Sequence, residues 1–194
     1  MAEAPAAAGP SLQLTTLDDC GLVIGRYPRF RYNASGGGGT SAPRLDGDSV
    51  RFPPEQLTIP PLDWRSTRFL GLPLPPGLSI RIQPEQLEGQ IDSHSGAVSL
   101  RFRARFRFRI QLGATELYQA PDLLVDTELR SDRCQGRRHR ASGRALDGSG
   151  AALLVGVATV PPSGDAWLDR FLGLPDEALA VLRCRITNVA EQPA

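Results

Sequence analysis

The sequence predicts a mostly β single domain built from two duplicated β-rich repeats, barrel- or sandwich-like, each carrying one short helix. Three observations predict it. The first is an internal repeat. Thr58-Ile59-Pro60-Pro61, Asp63 and Trp64, and Arg68-Phe69-Leu70-Gly71-Leu72-Pro73 recur in the same order as Thr159-Val160-Pro161-Pro162, Asp165 and Trp167, and Arg170-Phe171-Leu172-Gly173-Leu174-Pro175. Leu45-Asp46-Gly47 recurs as Leu146-Asp147-Gly148. A fixed period marks a repeated structural unit, here about 100 residues long. The second is alternation of apolar and polar residues, the signature of half-buried strands. The third is the placing of Gly, Pro, Asn and Asp turn signals between those runs. Within 194 residues one merged core buries more apolar surface than two separate small domains would. The boundaries read as a disordered tail at 1–10, repeats at 11–94 and 95–190, and a short tail at 191–194.

Taken in order, Gly21–Gly25 leads into Arg29–Tyr32 as strand, with Pro28 marking an edge or bend. The glycine run 36–39 reads as a flexible loop that continues in polar residues to Asp48. Val50–Phe52 and Leu57–Ile59 are short strand candidates, and Leu78–Ile82 alternates cleanly. Ser95-Gly96 is a turn that opens the longest alternating run, Val98–Ile110. Leu123–Leu129, Ala151–Val160 and Val181–Ile186 complete the strands. Asp165 can cap a short helix whose Trp167, Leu168, Phe171 and Leu172 share a face, with Gly173 as its left-handed stop. Asp63 and Gly71 would serve the same ends in the first repeat. Both helices are expected to plug the sheet with Trp and Phe. The expected core includes Phe102, Phe106, Phe108, Leu123, Val125, Leu153, Val155, Trp167, Phe171 and Leu182.

Charge is unevenly spread. In the run from Val98, the residues Arg101, Arg103, Arg105, Arg107 and Arg109 all point away from the apolar face, about 6.6 Å apart along the strand. A second cluster holds Arg130, Arg133, Arg137, Arg138, His139, Arg140 and Arg144. Residues 101–144 carry 11 Arg against 5 acids, a net +6, within a chain of net +1. Arg does not deprotonate in proteins, so this charge is permanent. Such a face can dock an acidic protein or an anionic membrane, through Arg101, Arg103, Arg105, Arg107, Arg109, Arg137, Arg138 and Arg140. Nucleic acid is not expected, because the Phe residues lie on the opposite face and offer bases no stacking platform. No amphipathic helix or exposed apolar anchor for lipid is evident. The bland alternative is that Asp122, Asp126 and Glu128 on the next strand, with Glu85, Glu88 and Asp92 on the preceding one, neutralise the row across the sheet.

The residues argue against chemistry. All cationic side chains are Arg, which excludes a Schiff-base or P-loop lysine. Cys20, Cys134 and Cys184 are odd in number and widely spaced, so neither a disulfide framework nor a zinc site is expected. Their bland reading is buried thiols in a reducing compartment, although the arginines near Cys134 favour a thiolate. His94 sits in a polar turn, Asp92-Ser93-His94-Ser95, and His139 lies among arginines. The glycine-rich stretches lack the following helix that a phosphate site needs. No catalytic, cofactor or metal residue is therefore assigned, and the chain is read as a non-enzymatic binding or scaffold protein. No apolar run approaches the roughly 20 residues that span a bilayer. No signal peptide pattern opens the chain, which sets the expectation of a cytoplasmic protein. The alternative function is a carrier of a small apolar ligand, a lipid or pigment, inside the β-rich core. Oligomeric state is left open.

The stretches Ile59-Pro60-Pro61-Leu62-Asp63, Arg68 to Pro76, Ser95-Gly96-x-Val98-x-Leu100-x-Phe102 and Leu154-Val155-Gly156-Val157-Ala158 resemble an uncharacterised protein family of cyanobacteria and plastids with an internal repeat. The resemblance covers most of residues 44–186. It implies a role in a phototroph, beside photosynthetic membranes, and carries no catalytic residue. The glycine-rich loop and the basic 137–144 segment have no counterpart in it.

Overall fold

The structure, a computed structural model, describes residues 9–44 and 47–189. It is mostly β, 56% strand against 6% helical, as the alternation predicts. Fifteen strands form among the described residues: β1 (Leu12–Thr16), β2 (Cys20–Ile24), β3 (Phe30–Tyr32), β4 (Gly38–Thr40), β5 (Ser49–Arg51), β6 (Thr67–Phe69), β7 (Leu72–Pro73), β8 (Leu78–Ile91), β9 (Val98–Leu112), β10 (Thr115–Gln119), β11 (Leu123–Arg130), β12 (Arg133–Gln135), β13 (Arg140–Ser142), β14 (Ala151–Val160) and β15 (Asp176–Asn188). One α-helix, α1 (Ala166–Leu172), lies between β14 and β15. Thirteen strands share one antiparallel sheet in the order β5-β8-β9-β11-β14-β15-β2-β3-β6-β7, with β1 beside β15, β4 beside β1 and β10 beside β9. First-half strands flank second-half strands on both sides, so the halves interlock.

The sheet curls around its inner face without closing into a barrel. Leu12 and Leu14 of β1 share a buried cluster with Leu87 and Ile91 of β8, although four strands intervene. A second cluster gathers Cys20, Tyr32, Ile80, Phe108, Leu123, Leu168 and Leu172. On the outer face, the β12–β13 hairpin covers Val155 and Leu179 with Cys134 and Ala141, giving a sandwich-like second layer. The two sheet edges are linked by segment 57–62. Thr58 pairs with Gly38 of β4, and Leu62 pairs with Ile80 of β8.

Four local expectations are corrected. The 36–39 glycine run is not a loose loop; Gly38 and Gly39 belong to β4. A Cβ on Gly38 would lie 2.0 Å from the Leu14 carbonyl oxygen, and its φ is +126°. Glycine is there because backbones meet closely, not because the chain must flex. The Leu57–Ile59 strand reduces to a single bridge at Thr58. Leu78–Ile82 runs on to Ile91, absorbing Pro84 in a bulge where Glu85 is the extra residue. The expected tail at 1–10 lies outside the described residues up to 8, but Gly9 is tied to Arg44 by two backbone hydrogen bonds. The 191–194 tail and Leu45-Asp46 of the repeat also lie outside the described residues.

The repeated blocks share sequence but not conformation. In the second, the Asp165 side chain accepts a hydrogen bond from Leu168 N at 2.9 Å, and Gly173 closes the helix at φ +71°. In the first, Asp63 Oδ1 accepts from Arg65 N and Ser66 N, yet the chain then enters β6 and turns through Leu70 and Gly71 into β7. The reason is in the sequence between the matched ends. Ser66 stands where Leu168 anchors the helix, and its hydroxyl donates to Pro61 O instead. Without that buried leucine a two-turn helix has nothing to hold it. Among the described residues there is therefore one α-helix rather than one per repeat.

Candidate functional site

The arginine row is displayed as the alternation predicts, but it is not bare. Arg101 meets Asp126 at 2.8 Å, Arg103 meets Glu85 at 3.2 Å, Arg107 meets Asp122 at 2.8 Å and Arg109 meets Glu116 at 2.6 Å. Arg105 also pairs with Glu85. The bulge at Pro84 is what lets one carboxylate reach two guanidiniums. Hydrogen bonds from Arg105 to Glu85, from Arg107 to Asp122 and from Arg101 to Asp126 hold these carboxyls below their ordinary range. Glu128 and Asp132 both lie on Arg130. All five acids of segment 101–144 thus neutralise arginines of that segment, and its remaining charge moves to the β12–β13 hairpin.

There, Arg138 is bridged to Asp176 at 2.9 Å, while Arg133, Arg137, Arg140 and Arg144 make no ion pair among the described residues. The 137–139 turn is built on Glu177. Its carboxylate accepts from the backbone N–H of Arg137, Arg138 and His139 at 2.6, 3.0 and 2.7 Å. Burial pushes the Glu177 carboxyl up, but these three donors outweigh it and hold it below its ordinary value. Asp176 abuts Gly25, so the turn stands behind the β2–β3 connection.

The other candidates are structural. His94 is exposed in a turn whose Asp92 accepts from His94 N and Ser95 N. The three thiols are free and buried. Burial raises the Cys134 thiol despite the nearby arginines, which corrects the thiolate expectation, and pushes Cys184 up to about 12.

Sequence reasoning missed an aromatic surface at one end of the molecule. Six rings touch in series: Tyr118–Trp167 at 5.2 Å, Trp167–Phe171 at 5.3 Å, Phe171–Tyr27 at 6.2 Å, Tyr27–Phe69 at 6.4 Å and Phe69–Phe30 at 4.5 Å. Trp167 and Phe171, expected in the core, are 54% and 50% exposed; Leu168 and Leu172 alone anchor α1. A helix of two turns seats one stripe, and four large apolar residues exceed it. Leu70 and Leu72, at the β6–β7 tip, are 70% and 69% exposed. Phe69 and Phe171, equivalent in the two blocks, both lie against Tyr27, whose hydroxyl donates to Phe171 O. Arg26, Arg68 and Arg170 each directly precede one of these rings and make no ion pair among the described residues. The available signal was leucine on both sides of a turn glycine, where polar residues are usual.

Behind this surface the interior is incompletely filled. An apolar cavity of about 140 Å³ lies among Leu14, Leu57, Leu100, Leu129, Leu154 and Leu182. A second of about 60 Å³ lies beneath Leu172 and Leu174, and Leu22, Phe102 and Ala180 line both. The Tyr32 hydroxyl donates to Pro60 O, and Thr16 Oγ1 donates to Ala34 O, so the polar atoms here are already satisfied. The chain matches no protein-family model, no curated protein and no solved structure. No helix among the described residues is long and apolar enough to cross a membrane.

Proposed function

We propose that this chain is a non-enzymatic peripheral protein that docks on an anionic membrane surface through its aromatic end. The observation that carries the reading is the continuous exposed patch of Trp167, Phe171, Tyr27, Leu70 and Leu72. Contiguous apolar surface on a protein marks an interaction site. Trp and Tyr suit a boundary that is apolar on one side and wet on the other. Arg26, Arg68 and Arg170 beside the rings, with Arg137 and Arg140 behind them, supply the complement to anionic headgroups. The Arg101–Arg109 row supports docking on an acidic protein or membrane less strongly, because an outside anion must displace a carboxylate from each guanidinium. The buried thiols fit a reducing, cytoplasmic location, and the phototroph setting belongs to the same proposal.

Vesicle flotation tests it. Wild type should float with phosphatidylglycerol-containing vesicles and less with phosphatidylcholine alone, and salt should weaken the association. Trp167→Ser with Phe171→Ser should weaken binding at least about tenfold, the scale expected on removing two inserted aromatic side chains. Arg101→Gln, Arg103→Gln and Arg105→Gln together should change it little. Absence of binding to any vesicle overturns the proposal, as does self-association lost in the same aromatic variants without vesicle binding.

A second reading, a carrier of a small apolar ligand, is favoured by the paired cavities in the core. An engineered cavity of about 150 Å³ is enough to admit benzene.

A further inference from the structure

One wall of the larger cavity sharpens the carrier reading, and the portal assigned to it rests on that reading. Leu57, Thr58 and Ile59 line the cavity on their inner side and an open groove of about 650 Å³ on their outer side. The groove is floored by Ile82, Gln83 and Pro84 of β8 and bordered by Arg81, Arg105 and Arg107. On its far side this wall is held to β4 by the Thr58–Gly38 bridge, but toward β8 it is loosely tied. Segment 52–62 follows the edge of β8, but backbone hydrogen bonds join them only at Phe52–Leu87 and at Leu62–Ile80. Between those points, residues 81–86 of β8 receive no backbone hydrogen bond from residues 53–61. Four prolines, Pro53, Pro54, Pro60 and Pro61, and the bulge at Pro84 keep it so, since proline has no N–H to give. Six unpaired residues span about 20 Å of edge.

The charge at this opening is as uneven as its bonding. Arg81 lies directly opposite Arg107 in the β8–β9 ladder, a like-charge pair, and like charges opposite one another are destabilising. Arg107 is held by Asp122 and Arg105 by Glu85, whereas Arg81 is exposed and makes no ion pair among the described residues. Glu55, the other acid on the rim, makes none either. An anion entering the groove therefore meets an unneutralised guanidinium at the mouth of an apolar chamber.

We infer that the Leu57–Ile59 wall is a portal and that its ligand is an anionic amphiphile, a medium-chain carboxylate whose tail occupies the cavity and whose headgroup pairs with Arg81. Scaled from the cavity that holds benzene, the two chambers accept a chain of roughly eight carbons. Parting the wall from β8 breaks no sheet hydrogen bond, so entry needs only side-chain movement at Leu57 and Ile59. Arg holds a carboxylate by paired, charge-assisted hydrogen bonds, which an alcohol cannot accept in the same way.

Calorimetric titration with octanoate and with 1-octanol, on wild type and on Arg81→Gln, tests this. Wild type should bind octanoate more tightly than octanol. Arg81→Gln should lose about tenfold for octanoate and nothing for octanol, the scale of one hydrogen bond to a charged group. Thermal melting without ligand should not fall in Arg81→Gln and should rise slightly if it changes, since the substitution removes a like charge opposite Arg107. Equal binding of the two ligands, unchanged by the substitution, overturns the portal while leaving the apolar carrier intact. Failure of both ligands to bind overturns the carrier reading as well.

Discussion

Glu177 shows what one buried carboxylate does here. It lies 6% exposed at the start of β15, and three backbone donors of the 137–139 turn converge on it. Gly136 leaves the room it needs: a Cβ there would fall 2.4 Å from the carboxylate. Glu177→Ala leaves those donors unpaired and should cost roughly 2–4 kcal/mol in urea unfolding. The pH dependence has a definite sign. The folded-state value lies below the unfolded one, so the contribution is present above the unfolded value and lost as pH falls through the folded value. Glu177→Gln should therefore lose less stability than wild type on acidification below about pH 4.3. The thiols give a second residue-scale prediction. With Cys20, Cys134 and Cys184 all buried and raised by that burial, Ellman's reagent should find no fast-reacting thiol in the native protein and three after denaturation.

The two Phe-Leu-Gly-Leu-Pro segments carry the lesson at the scale of elements. Capping and stop signals were legible in both, because Asp63 and Asp165 do accept the expected backbone hydrogen bonds. What decides helix against hairpin is whether the third residue after the cap is the buried Leu168 or Ser66, a tertiary matter that local signals do not carry. Asp165→Ala should thus destabilise the protein by about 1 kcal/mol in thermal or urea unfolding, the usual value of a lost N-cap. Strand β9 was legible almost to the residue because alternation with period two admits one register of inner and outer faces. The ion pairs followed from the same register once β8, β10 and β11 were placed beside it. The exposure of Trp167 and Phe171 was not legible. Hydrophobicity says that a side chain gains by leaving water, not whether the fold has room for it.

At the scale of the molecule, the sheet separates two kinds of surface. Its outer face over β8, β9 and β11 is laced by carboxylate–guanidinium pairs, and pairs of this exposure contribute little to stability individually. One end instead presents aromatic rings and leucines with unpaired arginines about them. Folding alone does not call for that end, because Leu168 and Leu172 already secure α1 while Trp167 and Phe171 face outward. Trp167→Ser should accordingly alter the melting temperature far less than substitution of a fully buried core residue such as Leu154. The most direct test of membrane docking is depth-dependent quenching of Trp167. Trp64→Phe leaves it as the sole tryptophan, and anionic vesicles carrying lipids brominated at different acyl positions report its depth. Docking by the aromatic end predicts strong quenching by shallow bromines, falling with depth, together with a blue-shifted emission. Emission unchanged by vesicles, and unquenched at every depth, would contradict it.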